Sequence, residues 1–390
     1  MNESRGRLAD YITMVVVFLM GTGAVMVFSA GANLSYEFEL QHFYDFPALR
    51  QVFFFPLAVV VLLAASCIDY RFLRLREVWW RSPLAWALLV SIALLIAVLL
   101  PGVGTQINQA RRWLRISVAQ VSISFQPSEL AKWTIVFFLA AVGAKCGEGM
   151  RSYWRRFLPL WALIAVVCGL IVREDFGTAA FIALVSFVML VVAGVKWWHV
   201  LTLLPPGVAG FIAALFQASH RLGRLTAFLQ PEKYSDTIMY QANQSLIAIG
   251  SGGLWGKGLG QGICKYGHLP EDTTDFVFAI VGEELGLAGT TGVLLLFILF
   301  VSLGLAVAWR CRDRFGRLLA TGIVLTIGLQ AALNIGVVTV VLPTKGIPLP
   351  FISAGGTSTL LSAAAVGVLL NVAAHSDRGS EEATSYPQDS

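Results

Sequence analysis

Charge is what this sequence has least of. Asp, Glu, Lys and Arg make up 13% of its 390 residues, against about 25% in a typical soluble domain. Hydrophobic residues reach 57% and the mean hydropathy is +0.73. A chain with so little polar surface cannot cover a soluble core of this size, which excludes a soluble globule and a disordered chain alike. Cysteine is sparse as well. Cys67, Cys146, Cys168, Cys264 and Cys311 contain no Cys-x-x-Cys pair, so neither a disulfide framework nor a zinc site is expected. The net charge of +5 calls for no nucleic acid, because an arginine excess is what the positive-inside rule asks of a membrane protein.

What the chain has instead is long apolar runs. They fall at 11–30, 52–68, 84–100, 130–144, 157–172, 177–195, 200–216, 276–308, 318–342 and 357–374. Since about 20 apolar residues span a bilayer, the expectation is an all-α integral membrane protein of about ten transmembrane helices. A large extracytoplasmic loop, 217–275, separates the seventh from the eighth. Lys and Arg gather in alternate connections, for example Arg71, Arg74, Arg76 and Arg81, then Arg310, Arg312, Arg314 and Arg317. That bias places both termini in the cytoplasm. The first run exceeds the roughly 7–15 apolar residues of a signal peptide, so it is read as retained despite Ala30-Gly31-Ala32. The organisation is therefore a short cytoplasmic N-terminus (1–8), one membrane domain (9–375) and a polar cytoplasmic tail (376–390). The eighth run is long enough to start with a tilted or interfacial turn, with Glu283 and Glu284 near its outer end.

Because charge is costly in a bilayer, the charges at span edges are the candidates for chemistry. Arg111-Arg112-Trp113-Leu114-Arg115 opposes the inside bias. It reads either as an aromatic-belt anchor or as a pyrophosphate site, for which guanidinium forks are suited. Gln126-Pro-Ser-Glu-Leu-Ala-Lys132 opens the fourth span with Glu129 and Lys132 three apart on one helical face. Either they neutralise each other or Lys132 reaches an anionic ligand. Arg173-Glu-Asp-Phe-Gly-Thr178 is a tight charged turn that can neutralise itself.

The glycine-rich stretch 241–260, ending Gly256-Lys257-Gly258-Leu259-Gly260, satisfies neither the P-loop nor the GxGxxG pattern. It reads as a re-entrant turn, or as a place where Lys257 and backbone amides meet a phosphate or sugar headgroup. Leu269-Pro-Glu-Asp-Thr-Thr-Asp-Phe-Val-Phe278 crowds Glu271, Asp272 and Asp275 at the mouth of a span. A carboxylate there caps the next helix or serves as a general base whose pKa partial burial raises. Three acids so close also invite a divalent cation, Mg or Mn, and no other cofactor is expected. Leu342-Pro-Thr-Lys-Gly-Ile-Pro-Leu-Pro-Phe351, continuing to Ser353-Ala-Gly-Gly-Thr-Ser358, cannot be a regular helix, and Lys345 is its single charge.

Taken in order, four of these segments, 111–132, 241–260, 269–278 and 342–353, resemble the SEDS family of bacterial shape, elongation, division and sporulation proteins (FtsW, RodA and SpoVE) over about residues 9–372. The resemblance implies a ten-helix peptidoglycan glycosyltransferase of the bacterial cytoplasmic membrane. Such an enzyme polymerises lipid II on the extracytoplasmic face, beside a class B penicillin-binding protein that supplies the transpeptidase. Other divisome or elongasome membrane proteins are further partners, and no nucleic acid is involved. The family's essential loop aspartate falls on Asp275, and Arg111, Arg112, Glu129, Lys132, Lys257, Lys345 and Ser353 are the substrate-binding positions expected around it. Thr344-Lys345-Gly346 leans towards the division branch over the elongation branch.

Two departures stand out: the family's usual Ser-Tyr-Gly-Gly-Ser-Ser is Ser353-Ala-Gly-Gly-Thr-Ser358 here, and Glu174 replaces a proline. Two competing readings are a transporter that flips the lipid-linked precursor and a non-catalytic scaffold for a transpeptidase. Charged and glycine-rich segments gathered on one face favour surface chemistry over a midplane transport site.

Overall fold

Apolar runs become helices in a membrane because every backbone amide must find a partner within its own segment. The computed structural model describes residues 7–31, 47–107, 110–118, 121–216, 219–230, 232, 239–264 and 273–384. Its helices are α1 (Arg7–Gly31), α2 (Pro47–Ser66), α3 (Pro83–Leu99), α4 (Pro127–Cys146), α5 (Leu158–Val172), α6 (Phe176–Val192), α7 (Trp197–Leu201), α8 (Leu204–Phe216), α9 (Ser219–Leu229), α10 (Tyr240–Ser251), α11 (Val277–Arg310), α12 (Arg314–Val338) and α13 (Gly356–Thr384).

Among the described residues, six helical stretches are long and apolar enough to cross a membrane, and Arg50–Ser66, Pro83–Leu99 and Phe176–Val192 are shorter apolar helices. The expected seventh span, 200–216, is divided between α7 and the 13-residue α8. The last apolar stretch ends at His375, as expected for the final span, but its helix runs on to Thr384.

The helices alternate in direction, so the connections sort to two ends of the bundle. At the end that holds the start of α1, Asp313 pairs with Arg74 at 2.6 Å, Lys145 donates to the Arg76 carbonyl, and Arg314 reaches the carbonyls of Gly147 and Ala193. At the opposite end lie the described residues of 100–126, 173–175, 252–276 and 339–355, each segment joining two consecutive helices.

One of these segments departs from the all-α expectation. Residues 104–125 form an antiparallel meander of β1 (Gly104–Ile107), β2 (Ala110–Val118) and β3 (Val121–Phe125), with Arg115 opposite Ser124 and Trp113 opposite Thr105. The composition explains it: Thr105, Ile107, Trp113, Ile116, Val118, Val121, Ile123 and Phe125 favour a pleated surface. β2 packs on α3 and α4 and so carries the arginine cluster to the bundle end.

The longest helix is broken. Gly286 in α11 has φ +66° and ψ −160°, far from helical values. The glycine-rich segment fills the gap in the hydrogen-bond ladder. Leu287 and Ala288 amides donate to the Gly253 and Leu254 carbonyls, while Lys257 and Gly258 amides donate to those of Glu283 and Glu284. Two backbones at this distance leave no room for a side chain between them. A Cβ on Gly256, which has φ +80°, would overlap the Glu284 carbonyl.

Candidate active site

Asp275 sits in the turn just before α11, and two other segments hold that turn in place. Asn334 of α12 donates its side-chain amide to the Asp275 carbonyl at 2.8 Å and to the Ile347 carbonyl at 2.7 Å. Ser353 donates its hydroxyl to the Thr274 carbonyl at 2.5 Å, while the Ala354 amide donates to Thr273 at 2.9 Å. The same Ser353 oxygen accepts the Leu349 amide, so it ties the proline-rich segment to itself as well as to the turn.

The Asp275 carboxylate lies over Gly346: Oδ2 is 2.7 Å from where a Cβ on Gly346 would stand. Lys345, the next residue back, lays its stem across Gly177 at the start of α6, close to Asp175. Burial pushes the Lys345 ammonium below the ordinary lysine range, and the Asp175 carboxylate partly offsets this. Asp175 caps α6 by accepting the amide and hydroxyl of Thr178, both at 2.9 Å. It also faces Arg112, whose Nη1 is 3.6 Å away. Glu174 accepts the Arg111 amide at 2.7 Å, which fastens β2 to the α5–α6 turn. The charged turn 173–178 therefore engages the arginine cluster. The resulting group brings Asp275, Lys345, Ser353, Arg112 and Arg111 to one end of the bundle.

Deeper in the bundle, Lys132 is 1% exposed. Its ammonium donates to Glu129 at 2.7 Å and to Gln330 at 2.9 Å. Glu129 also accepts the Ser358 hydroxyl, and Gln330 donates onward to the Pro348 carbonyl. This buried network runs beneath the proline-rich segment that carries Lys345, with a small pocket of about 10 Å³ alongside it, lined in part by Gln330, Ser353 and Ser358. Lys257 goes elsewhere. Its ammonium meets Glu283 at 2.7 Å, and Glu283 also accepts the amides of Ile263 and Cys264. Its neighbour Glu284 accepts the Ser29 hydroxyl and the Gly262 amide. The amides considered as a phosphate cradle are thus directed at α11.

Glu271 and Asp272 lie outside the described residues. Among the described residues no three His, Cys, Asp or Glu side chains gather as a metal site would need.

Gln330 and Asn334 escaped the motif search, and Asp175 entered it only as one charge of the self-neutralising 173–178 turn. The first two are polar residues four apart on one face of an otherwise apolar span, and that spacing was their available signal.

An acid beside a half-buried cation, roofed by an arginine-bearing sheet at one end of an apolar bundle, defines a multi-pass membrane protein with an end-on polar site. The comparisons place it further. The model of the FtsW/RodA/SpoVE family, described as cell cycle protein, matches residues 10–378, and the chain belongs to that family. A probable peptidoglycan glycosyltransferase FtsW from Trichlorobacter lovleyi is 36% identical, over 94% of each chain. Stage V sporulation protein E from Bacillus subtilis is also 36% identical, over 94% of this chain and 96% of its own. The solved rod shape determining protein RodA of Thermus thermophilus aligns over 93% of this chain and 95% of its own, with TM-score 0.63 and 26% identity.

Proposed function

We propose that this chain is a peptidoglycan glycosyltransferase that polymerises lipid II at the extracytoplasmic face of the bacterial cytoplasmic membrane. The observation that carries the reading is the seating of the Asp275 carboxylate against Gly346, next to the half-buried Lys345. An acid that can take a proton and a cation that can meet a phosphate share one edge of the bundle.

In the proposed reaction the 4-hydroxyl of an acceptor sugar forms a bond to the anomeric carbon of the lipid-linked donor. Asp275 takes the hydroxyl proton. The bond from that carbon to the pyrophosphate oxygen breaks, and undecaprenyl pyrophosphate leaves with inversion at the carbon. Pyrophosphate is a good leaving group once its charge is met, so one base suffices. Arg111, Arg112 and Lys345 are assigned to that charge. Lys132 and Lys257, each held by a glutamate, keep the supporting segments in position. If a divalent cation takes part, Asp275 together with the substrate's own phosphates would hold it, and it would supply positive charge to offset the departing pyrophosphate. Apolar space between the helices takes the polyprenyl chains.

A class B penicillin-binding protein is the proposed partner, cross-linking the strands that this chain makes. The division branch is favoured over elongation by Thr344-Lys345-Gly346.

The test is polymerisation of lipid II by the purified chain with its partner, with products sized on a gel. Asp275→Asn is expected to abolish glycan formation while the protein still melts at the wild-type temperature. Wild-type polymerisation by that variant would refute the base assignment. Transport of lipid II across vesicles by the wild type, without glycan product, would refute the enzyme reading itself.

A further inference from the structure

At the end of the bundle that holds the start of α1, many of the cations are engaged. Arg74 meets Asp313, Lys145 and Arg314 reach backbone carbonyls, and Arg71 and Arg76 lie over the rings of Tyr70 and Phe72. A group of four has no such partner. The α4–α5 connection, 147–157, carries Arg151, Arg155 and Arg156, and the α6–α7 connection contributes Lys196, with Glu148 the one acid in the two. All four cations are exposed, and among the described residues none is ion-paired.

The two connections form one surface. Arg314 donates through one nitrogen to the Gly147 carbonyl at 3.2 Å and to the Ala193 carbonyl at 3.1 Å. The His199 ring packs on those of Tyr153 and Phe157, with centroids 5.1 and 5.6 Å apart, and the Tyr153 and Thr202 hydroxyls share a hydrogen bond of 3.2 Å. Residues 153–157 make a single π-helical turn, in which the Ser152 carbonyl accepts the amides of both Arg156 and Phe157. Such wide turns are rare and recur at functional sites. Here the turn leaves Trp154, Arg155 and Arg156 exposed in succession while Phe157 is buried.

Tryptophan flanks the cations. Trp154 is 75% exposed, and Trp197 and Trp198, next to Lys196, are exposed with their rings stacked 3.6 Å apart. Exposed indoles on a membrane protein sit at headgroup depth. Just before Lys196 in the chain, Val191 and Val192 present exposed apolar surface at the end of α6. Cations and indoles at the mouth of an apolar helix match a phospholipid with an anionic head. An acidic protein segment would use the charge and leave the indoles and the apolar surface without a role. We infer that the surface formed by 151–156 and 196–198 is a binding site for an anionic phospholipid, with its phosphate on Arg155, Arg156 and Lys196 and its acyl chains along α6. Guanidinium forks suit a phosphate, and basic pockets between spans on the cytoplasmic side, where the proposed topology puts this end, take such heads. The site lies at the opposite end of the bundle from Asp275 and does not depend on the glycosyltransferase reading.

The test measures lipid binding alone. Full-length protein in detergent is titrated with phosphatidylglycerol and, separately, with phosphatidylcholine, and bound lipid is counted by native mass spectrometry. The wild type should bind its first phosphatidylglycerol about tenfold more tightly than its first phosphatidylcholine. Arg155→Gln with Arg156→Gln should weaken that step about tenfold or more, the effect of taking two cations from beside an anionic lipid. Arg310→Gln with Arg317→Gln removes two exposed cations around the α11–α12 turn at the same end and should leave the step unchanged. Both double variants should melt with the wild type in lipid-free detergent, since all four side chains are exposed. Equal weakening in the two would mean diffuse attraction to charge and overturns the site, as does an unaltered first step in Arg155→Gln with Arg156→Gln. Displacement of phosphatidylglycerol by polyglutamate at the same concentration would give the surface to an acidic protein segment, which also overturns it. None of these results bears on polymerisation by the wild type against Asp275→Asn.

Discussion

Gly346 is the residue whose replacement separates fold from function. A methyl group there would meet the Asp275 carboxylate and not backbone, so the protein can accommodate it by moving the acid. Gly346→Ala should therefore melt as the wild type does while losing on the order of 100-fold in kcat, the usual penalty for displacing a catalytic group by about 1 Å. Lys345 has a sign that pH can read. Its ammonium is lowered by burial, so the unfolded chain holds that proton to higher pH than the native one. Native stability consequently rises with pH between the depressed value and the ordinary lysine value near 10.4. Activity that needs the cation should fall across the same window. Lys345→Arg, which stays charged, should carry the alkaline limb of the rate profile upward; an unmoved limb would free Lys345 of that role. Lys132 belongs to structure. Lys132→Met strands the Glu129 carboxylate with Ser358, and an uncompensated buried charge costs about 3–5 kcal/mol. The melting temperature should drop, and adding Glu129→Gln should restore part of it.

At the scale of elements, α11 and the glycine-rich segment form one unit. The length of 276–308 already points to an entry turn near Glu283 and Glu284, but nothing local marks Gly286 as the break among the many helical glycines of membrane proteins. Its place became visible only when a second backbone, 253–258, was found to supply the missing partners. Gly256→Ala should lower the melting temperature by more than an exposed glycine replacement would, since it strains a positive φ and strikes the Glu284 carbonyl. The β-meander was legible in principle. Its β-branched and aromatic residues alternate over short stretches, but the arginines among them drew attention to charge before strand. Asp175 was legible as an N-cap by type; its position between Arg112 and Lys345 was not.

For the whole molecule, the two ends of the bundle differ in the charge they carry, and this makes orientation testable. In a background where Cys67, the exposed native thiol among the described residues, is replaced by serine, Arg155→Cys should react with a membrane-impermeant maleimide only after the cells are opened. Arg115→Cys, exposed on β2, should react in intact cells. The reverse pattern would invert the proposed topology. By itself the sequence determined the membrane class, the spans, the sorting of charged segments to alternate ends and the motifs that mark the family. All of these follow from local composition, spacing and charge, which a chain displays before it folds. Beyond Glu129 and Lys132, whose three-residue spacing already offered an ion pair, which charges meet was decided only by tertiary structure. Lys132 and Lys257 are held by Glu129 and Glu283, whereas Arg112, Asp175, Asp275 and Lys345 come from four connections far apart in sequence. Their meeting depends on how the helices and a small sheet pack, and no local pattern encodes a distance across that packing.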